Sequence, residues 1–162
     1  MNKGITIRQI EIQRFRGLEN VIWNPRPGMN IILGGGDSGK TTILEAIGLL
    51  FSPTNSLTLS ETDFWKRRSG DGFQITCVVE ASEGFDFSSG SKIYWPWVWD
   101  GTNAVQPADD AQGPVQKQTP VFKVSLSGNS DFELAWEIVQ PNGDREHFPV
   151  GLRREGVGNS VC

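Results

Sequence analysis

Met29-Asn30-Ile31-Ile32-Leu33, then Gly34-Gly35-Gly36-Asp37-Ser38-Gly39-Lys40-Thr41-Thr42, then Ile43-Leu44-Glu45-Ala46-Ile47-Gly48-Leu49-Leu50 follow one another without a break. The first block is a short apolar run bounded by turn residues, the pattern of a strand buried on both faces. The third places Ile43, Ala46, Ile47 and Leu50 at i, i+3, i+4 and i+7, the stripe of an amphipathic helix. Leu44 and Phe51 widen that stripe, which predicts a largely buried helix, and Ser52-Pro53 stops it. A glycine-rich turn between a buried strand and a helix is the feature from which the rest of the chain is read.

Gly34-x-x-x-x-Gly39-Lys40-Thr41 matches the phosphate-binding P-loop. Glycines allow successive backbone N–H groups to turn inward and cradle phosphate oxygens. The helix start adds unpaired N–H groups and the positive end of its dipole. Lys40 can reach the β- and γ-phosphates, and the Thr41 hydroxyl can ligate Mg²⁺. The nucleotide-binding residues read from this stretch are Gly34, Gly35, Gly36, Asp37, Ser38, Gly39, Lys40, Thr41 and Thr42, with Thr41 as the metal ligand.

Before the loop, residues 5–15 alternate in an isoleucine-rich strand, Gly17 marks a bend, and Val21-Ile22-Trp23 forms a second strand. Beyond the helix, Ser60-x-x-Asp63 resembles a capping box and predicts a short helix through Trp65 and Lys66. From residue 73 the period changes to two. Phe73 to Val79, Ile93 to Trp99, Phe122 to Leu126 and Phe132 to Ile138 alternate in turn, with Pro96 demoting its strand to an edge. Pro141-Asn142-Gly143 is a turn from which a strand through Phe148 can pair back. The second half therefore reads as an antiparallel meander. Residues 100–120 have no periodicity and read as a long mobile loop.

Composition narrows the classes. Of 162 residues, 37% are hydrophobic and 21% charged, which supports a packed core. The net charge of −4 argues against a free-standing protein held to nucleic acid by charge. Residues 1–51 carry six basic and four acidic side chains, against five and nine in residues 100–162, so the glycine-rich loop lies in the most basic third. No apolar run is long enough for a membrane span, and the N-terminus lacks a signal-peptide pattern. Cys77 and Cys162 are too few for a disulfide framework; a cytoplasmic location fits, with Cys77 as a small core residue.

Taken together, Ile7-Arg8-Gln9-Ile10-Glu11-Ile12-Gln13-Arg14-Phe15-Arg16-Gly17, the apolar strand, the P-loop and helix, and the Thr62-Asp63-Phe64-Trp65 stretch resemble the N-terminus of ABC-type DNA-associated ATPases. That group includes the RecF, SMC and OLD-family proteins, and the likeness is strongest to OLD-like ATP-dependent endonucleases. The resemblance implies ATP and Mg²⁺ as ligands and a role in DNA repair or phage defence. Its implied partner is the remainder of the ATPase or a second ATPase head, with DNA reached through the intact assembly. It also implies that the Phe15-Arg16-Gly17 loop lies beside the base and ribose. Arg16 is then a base or phosphate contact; the alternative is an exposed loop arginine. Lys66-Arg67-Arg68 stands where such proteins carry a γ-phosphate or DNA sensor, or is a solvated charge run. Either Gln74 or Gln140 stands where a Mg²⁺-ligating glutamine is expected.

Other parts of such an ATPase are not visible. There is no apolar strand ending in Asp-Glu, no donated signature motif and no acidic cluster suited to a metal nuclease. His147 follows a hairpin turn and reads as a surface strand residue rather than a switch histidine. The expected fold is α/β: a P-loop NTPase lobe of the ABC type, with a central sheet and an antiparallel β-subdomain beside it. Residues 1–162 read as an incomplete N-terminal lobe, able to bind ATP but not to hydrolyse it alone. Three alternatives stand beside this reading. One is a small P-loop kinase or GTPase-like enzyme. The second is a non-enzymatic binding module using Trp95, Trp97 and Trp99, which otherwise serve in packing. The third is an inert remnant that folds but binds nothing tightly.

Overall fold

The computed structural model describes residues 5–52, 58–81, 94–107 and 119–147. Strand β1 (Ile5–Phe15) turns through Arg16 and Gly17 into β2 (Leu18–Trp23), and helix α1 (Lys40–Leu50) follows the glycine-rich loop. Five further strands are β3 (Phe73–Ala81), β4 (Trp97–Trp99), β5 (Ala104–Val105), β6 (Thr119–Gly128) and β7 (Leu134–Val139), and β8 (Arg145–His147) completes the set. All pair antiparallel in one sheet ordered β2-β1-β3-β6-β4-β5, with β7 on β6 and β8 on β7.

The period-two alternation becomes a core through register. Val21, Ile12, Ile75, Leu126 and Trp136 stand opposite one another across five strands. Trp23, Ile10, Cys77, Val124 and Ile138 form the next row. A one-residue slip of any strand would turn its members of both rows outward. Helix α1 meets this core through Ala46 and Leu50, and the Trp136 indole donates to the Leu50 carbonyl at 3.2 Å. Burial pushes the Cys77 thiol up to about 12, so it serves as a core side chain and not as a nucleophile.

The opposite face carries Glu11, Gln13, Gln74, Thr76, Ser125 and Ser127. The two ends of the strand order meet: Gln9 of β1 and Asn24, just past β2, both donate to the Thr102 carbonyl in the β4–β5 turn.

Several expectations need correction. Met29–Leu33 is not a strand among the described residues; Met29 is 90% exposed, Ile31 74% and Leu33 87%. An extended segment becomes a strand only when a neighbour takes its backbone N–H and C=O groups, and no described strand pairs with this one. The described sheet is accordingly one antiparallel unit rather than a central sheet with a subdomain beside it. Helix α1 is less buried than its apolar content predicts: only Ala46 and Leu50 are buried, and Leu44 is 61% exposed.

The expected short helix is three consecutive 3-10 turns, at 61–63, 65–67 and 69–71. Asp63 does play its capping role, accepting from the Ser60 N–H at 2.9 Å. Residues 100–105 are not a formless loop. Asp100 accepts the N–H groups of Thr102 and Asn103, both at 2.7 Å, and closes the turn between β4 and β5. At the far end of that expected loop Thr119 and Pro120 open β6, and residues 108–118 lie outside the described residues, as do Ile93 and Phe148. Strand β4 runs between β5 and β6, and Pro96 precedes it instead of marking an edge.

At one end of the core, Phe15, Phe73, Phe64 and Phe132 form a chain of tilted and edge-on rings, with centroids 5.0, 5.4 and 5.5 Å apart. Phe64, 1% exposed, is the ring that joins the 3-10 segment to the sheet. Phe64→Ala is expected to cost about 3–5 kcal/mol, read as a lower urea midpoint. A loss below about 1 kcal/mol would show that the segment is not anchored there.

Candidate functional site

The glycine-rich loop is positioned by the hairpin that precedes it in sequence. Gly39, at the N-terminus of α1, has φ 79° and ψ 7°, the left-handed region that glycine alone enters freely. A Cβ at this position would stand 2.5 Å from Leu18 Cδ2. Leu18 opens β2 and is 8% exposed, so the first residue of that strand abuts the loop where a side chain would otherwise be. The Ile43 N–H donates to the Gly39 carbonyl at 3.0 Å and closes the first helical turn.

Around this contact lies an open cleft of about 450 Å³, lined by Gly17, Leu18, Asp37, Ser38, Gly39, Lys40, Thr41 and Thr42. Its size falls within the range of small-molecule sites. Lys40 folds back over its own loop. The ammonium donates to the Gly34 carbonyl at 2.8 Å, to the Gly35 carbonyl, and to the Ser38 hydroxyl at 2.9 Å. Gly34, Gly35 and Gly36 stand outside the lining, although the first two supply those carbonyls. Asp37 is also left-handed, with φ 54°.

The donor set fits a magnesium nucleotide. A cation on a flexible stem, the hydroxyls of Ser38, Thr41 and Thr42, and the N-terminus of an eleven-residue helix line one opening. The Ser38, Thr41 and Thr42 hydroxyls are oxygens of the kind Mg²⁺ prefers.

Arg16 is placed differently. It has φ 49°, and its N–H donates to the Asp63 carbonyl at 2.9 Å. Its guanidinium donates to the Asp63 carboxylate at 3.0 Å and to the Glu45 carboxylate. Partial burial draws its pKa down, but the two carboxylates outweigh this and raise it, so the charge is fixed. Arg16 lines a second, neighbouring cleft of about 310 Å³, together with Phe15, Glu45, Leu49, Leu59 and Asp63. Its neighbour Gly17 is the residue of that loop that lines the P-loop cleft.

Neither glutamine lines the P-loop cleft. Gln74 donates to the Ser125 hydroxyl at 3.1 Å, and buried Gln140 accepts from the Trp95 N–H at 3.0 Å. Lys66 lies over the Trp65 ring at 3.8 Å, with Arg67 beside it at φ 57°. The tryptophans divide. Trp97 donates to the Val139 carbonyl at 2.7 Å and carries Lys123 at 3.9 Å from its ring, whereas Trp95 is 67% exposed. His147 is exposed in β8 opposite Glu137. Sequence reasoning missed Leu18 and Glu45. Leu18 carried no signal beyond its place after Gly17. Glu45, within the helix, became meaningful only once the hairpin placed Arg16 beside it.

A family model described as an AAA ATPase domain matches residues 6–104. The chain is 44% identical over 47 residues to the DNA replication and repair protein RecF of Moorella thermoacetica, covering 29% of this chain and 13% of that protein. It is 38% identical over 74 residues to the RecF protein of Lactococcus lactis, covering 46% and 20%. The chain thus spans no more than about a fifth of the length of these relatives. A solved structure of an SMC ATPase, described by its ATP-driven dimerization and DNA-stimulated activation, aligns with a TM-score of 0.57 at 11% identity. It covers 91% of this chain and 75% of that one, and together with the AAA ATPase domain match it supports a P-loop NTPase fold.

The Leu18–Gly39 contact yields a reciprocal expectation. Gly39→Ala meets both a positive φ and a close side chain, so it should destabilise by roughly 1–3 kcal/mol. Leu18→Ala removes the clash but not the backbone cost. In a double-mutant cycle by urea unfolding the pair should therefore cost less than the two single losses together. Strict additivity would show that Leu18 does not buttress the loop.

Proposed function

Because the chain belongs to the AAA ATPase domain family, we propose that it binds ATP with Mg²⁺ in the P-loop cleft. The observation that carries the reading is Lys40. Its ammonium rests on the Gly34 and Gly35 carbonyls and the Ser38 hydroxyl, in a cleft whose other donors belong to the start of α1. A phosphate would exchange those internal acceptors for stronger, charge-assisted ones. The residues proposed to hold the nucleotide are Gly34–Thr42, with Thr41 toward the metal. Bound Mg²⁺ supplies charge neutralisation of the phosphate oxygens. Arg16 is proposed to act from the edge, through the Gly17 backbone that it flanks, since its own charge is engaged by Glu45 and Asp63.

In the finer reading, residues 1–162 are the N-terminal lobe of an ATPase of the RecF, SMC and OLD type serving DNA repair or phage defence. The exposed run of Met29, Ile31 and Leu33 supports this: an apolar, strand-like segment directly before a P-loop suits a strand partner from another lobe. The intact protein would meet a second ATPase head, and DNA, through that assembly. An ATP-dependent endonuclease of the OLD type is the specific form favoured by the sequence resemblance. The lobe itself is proposed to bind without turnover, because among the described residues Asp37 is the only carboxylate lining the cleft and Glu45 and Asp63 are tied to Arg16.

Mg-ATP at a hundred times its dissociation constant should stabilise the chain by about 2.7 kcal/mol, seen as a raised melting temperature. Lys40→Ala should abolish the shift. Phosphate release at saturating Mg-ATP should not exceed that of Lys40→Ala. An equal thermal shift in both proteins would remove the binding site from the P-loop. Repeated turnover lost in the variant would favour a complete small P-loop enzyme.

A further inference from the structure

An acidic residue among phosphate-binding donors is an electrostatic contradiction, and Asp37 is one. It lies in the middle of the loop and lines the cleft with Ser38, Gly39, Lys40, Thr41 and Thr42. Its backbone has φ 54°, a conformation that Asp tolerates better than most residues but less well than Gly. It is exposed, and its carboxylate has no hydrogen bond or ion pair among the described residues. Lys40, three positions on, is bonded to Gly34, Gly35 and Ser38 instead. Glu45 and Asp63, the other nearby acids, are spoken for by Arg16. Among the described residues Asp37 is therefore the one lining carboxylate, and Lys40 the one lining cation.

We propose that Asp37 makes the cleft discriminate against free nucleotide in favour of nucleotide already carrying a divalent cation. The proposal rests on the nucleotide-binding reading above and specifies its ligand form. With one lysine and one aspartate, the lining side chains have no net formal charge. The attraction for phosphate is left to the backbone N–H groups and the helix dipole. Free ATP is more negative than its magnesium complex, so the Asp37 carboxylate repels it more strongly. The repulsion acts within the cleft that Asp37 lines, beside a protein wall, where it is stronger than in bulk water. The cation thus becomes a condition of entry, in addition to whatever it does once bound.

The test is titration calorimetry of the whole chain with ATP, once with excess magnesium and once in EDTA. Asp37→Asn is the informative variant, because Asn keeps the shape and the tolerance for a left-handed backbone. It should bind free ATP roughly tenfold more tightly than the original chain, with a smaller change for Mg-ATP. The gain should shrink as salt is raised. Unchanged affinity for free ATP in Asp37→Asn would overturn the proposal while leaving nucleotide binding intact. So would a variant weakened only toward Mg-ATP, since that would make Asp37 a metal ligand. Failure of the original chain to bind ATP in either buffer, indistinguishable from Lys40→Ala, would overturn both the proposal and the reading beneath it.

Discussion

The place where Leu18 meets Gly39 is the contact on which the glycine-loop cleft depends. A helix that starts at Lys40 must bring its N-terminus close to a sheet whose nearest strand starts at Leu18. Any Cβ at position 39 would hold the two apart. The approach is reinforced at the other end of the helix, where Ala46 is fully buried and the Trp136 indole reaches the Leu50 carbonyl. Small residues set the distance; the indole holds the far end. The loop between strand and helix is thereby aimed before any ligand is present, so ligand binding need not bear the cost of arranging it.

A second tie joins the same hairpin to its surroundings. Arg16 leaves the β1–β2 turn in a left-handed conformation and grips Glu45 on the helix and Asp63 on the 3-10 segment. These partly exposed ion pairs contribute little stability individually. Their effect is geometric: three segments distant in sequence are referred to one guanidinium, beside the turn whose Gly17 lines the cleft. The hairpin therefore touches the cleft directly through Gly17 and Leu18, and its neighbourhood through Arg16.

How much was legible follows from which interactions are local. Helix α1 and the alternating strands β1, β3, β6 and β7 are stated by residue types a few positions apart, and the structure forms each of these elements. Met29–Leu33 reads as a strand by the same rules and is not one here, because pairing is a property of a neighbour and no sequence window contains it. Leu44 failed similarly: its place on the stripe says that it is apolar, not that something covers it. Asp100 and Thr102 order a turn inside what composition describes as loop, through a short side-chain cap that composition does not weigh. At the site, the motif singles out residues 34–42, of which Asp37 to Thr42 line the cleft. Their engagement could not. That Lys40 rests on its own loop, or that Arg16 is held by two carboxylates, depends on distances between segments up to 47 positions apart.

The exposed run before the loop has a consequence for the chain as a material. From Met29 to Gly36 there is no charge and no proline, and Ile31 and Ile32 have high strand propensity. Such a segment, uncovered, is a template for stacking with copies of itself. Proteins commonly guard stretches like this with a charged gatekeeper, and the nearest ones here are Arg26 and Asp37, outside the run on either side. Concentrated solutions should therefore begin to scatter light through this segment, and Ile31→Lys should delay the onset; no delay would place the nucleus elsewhere. A sequence that leaves one strand open for pairing also carries the means of its own precipitation.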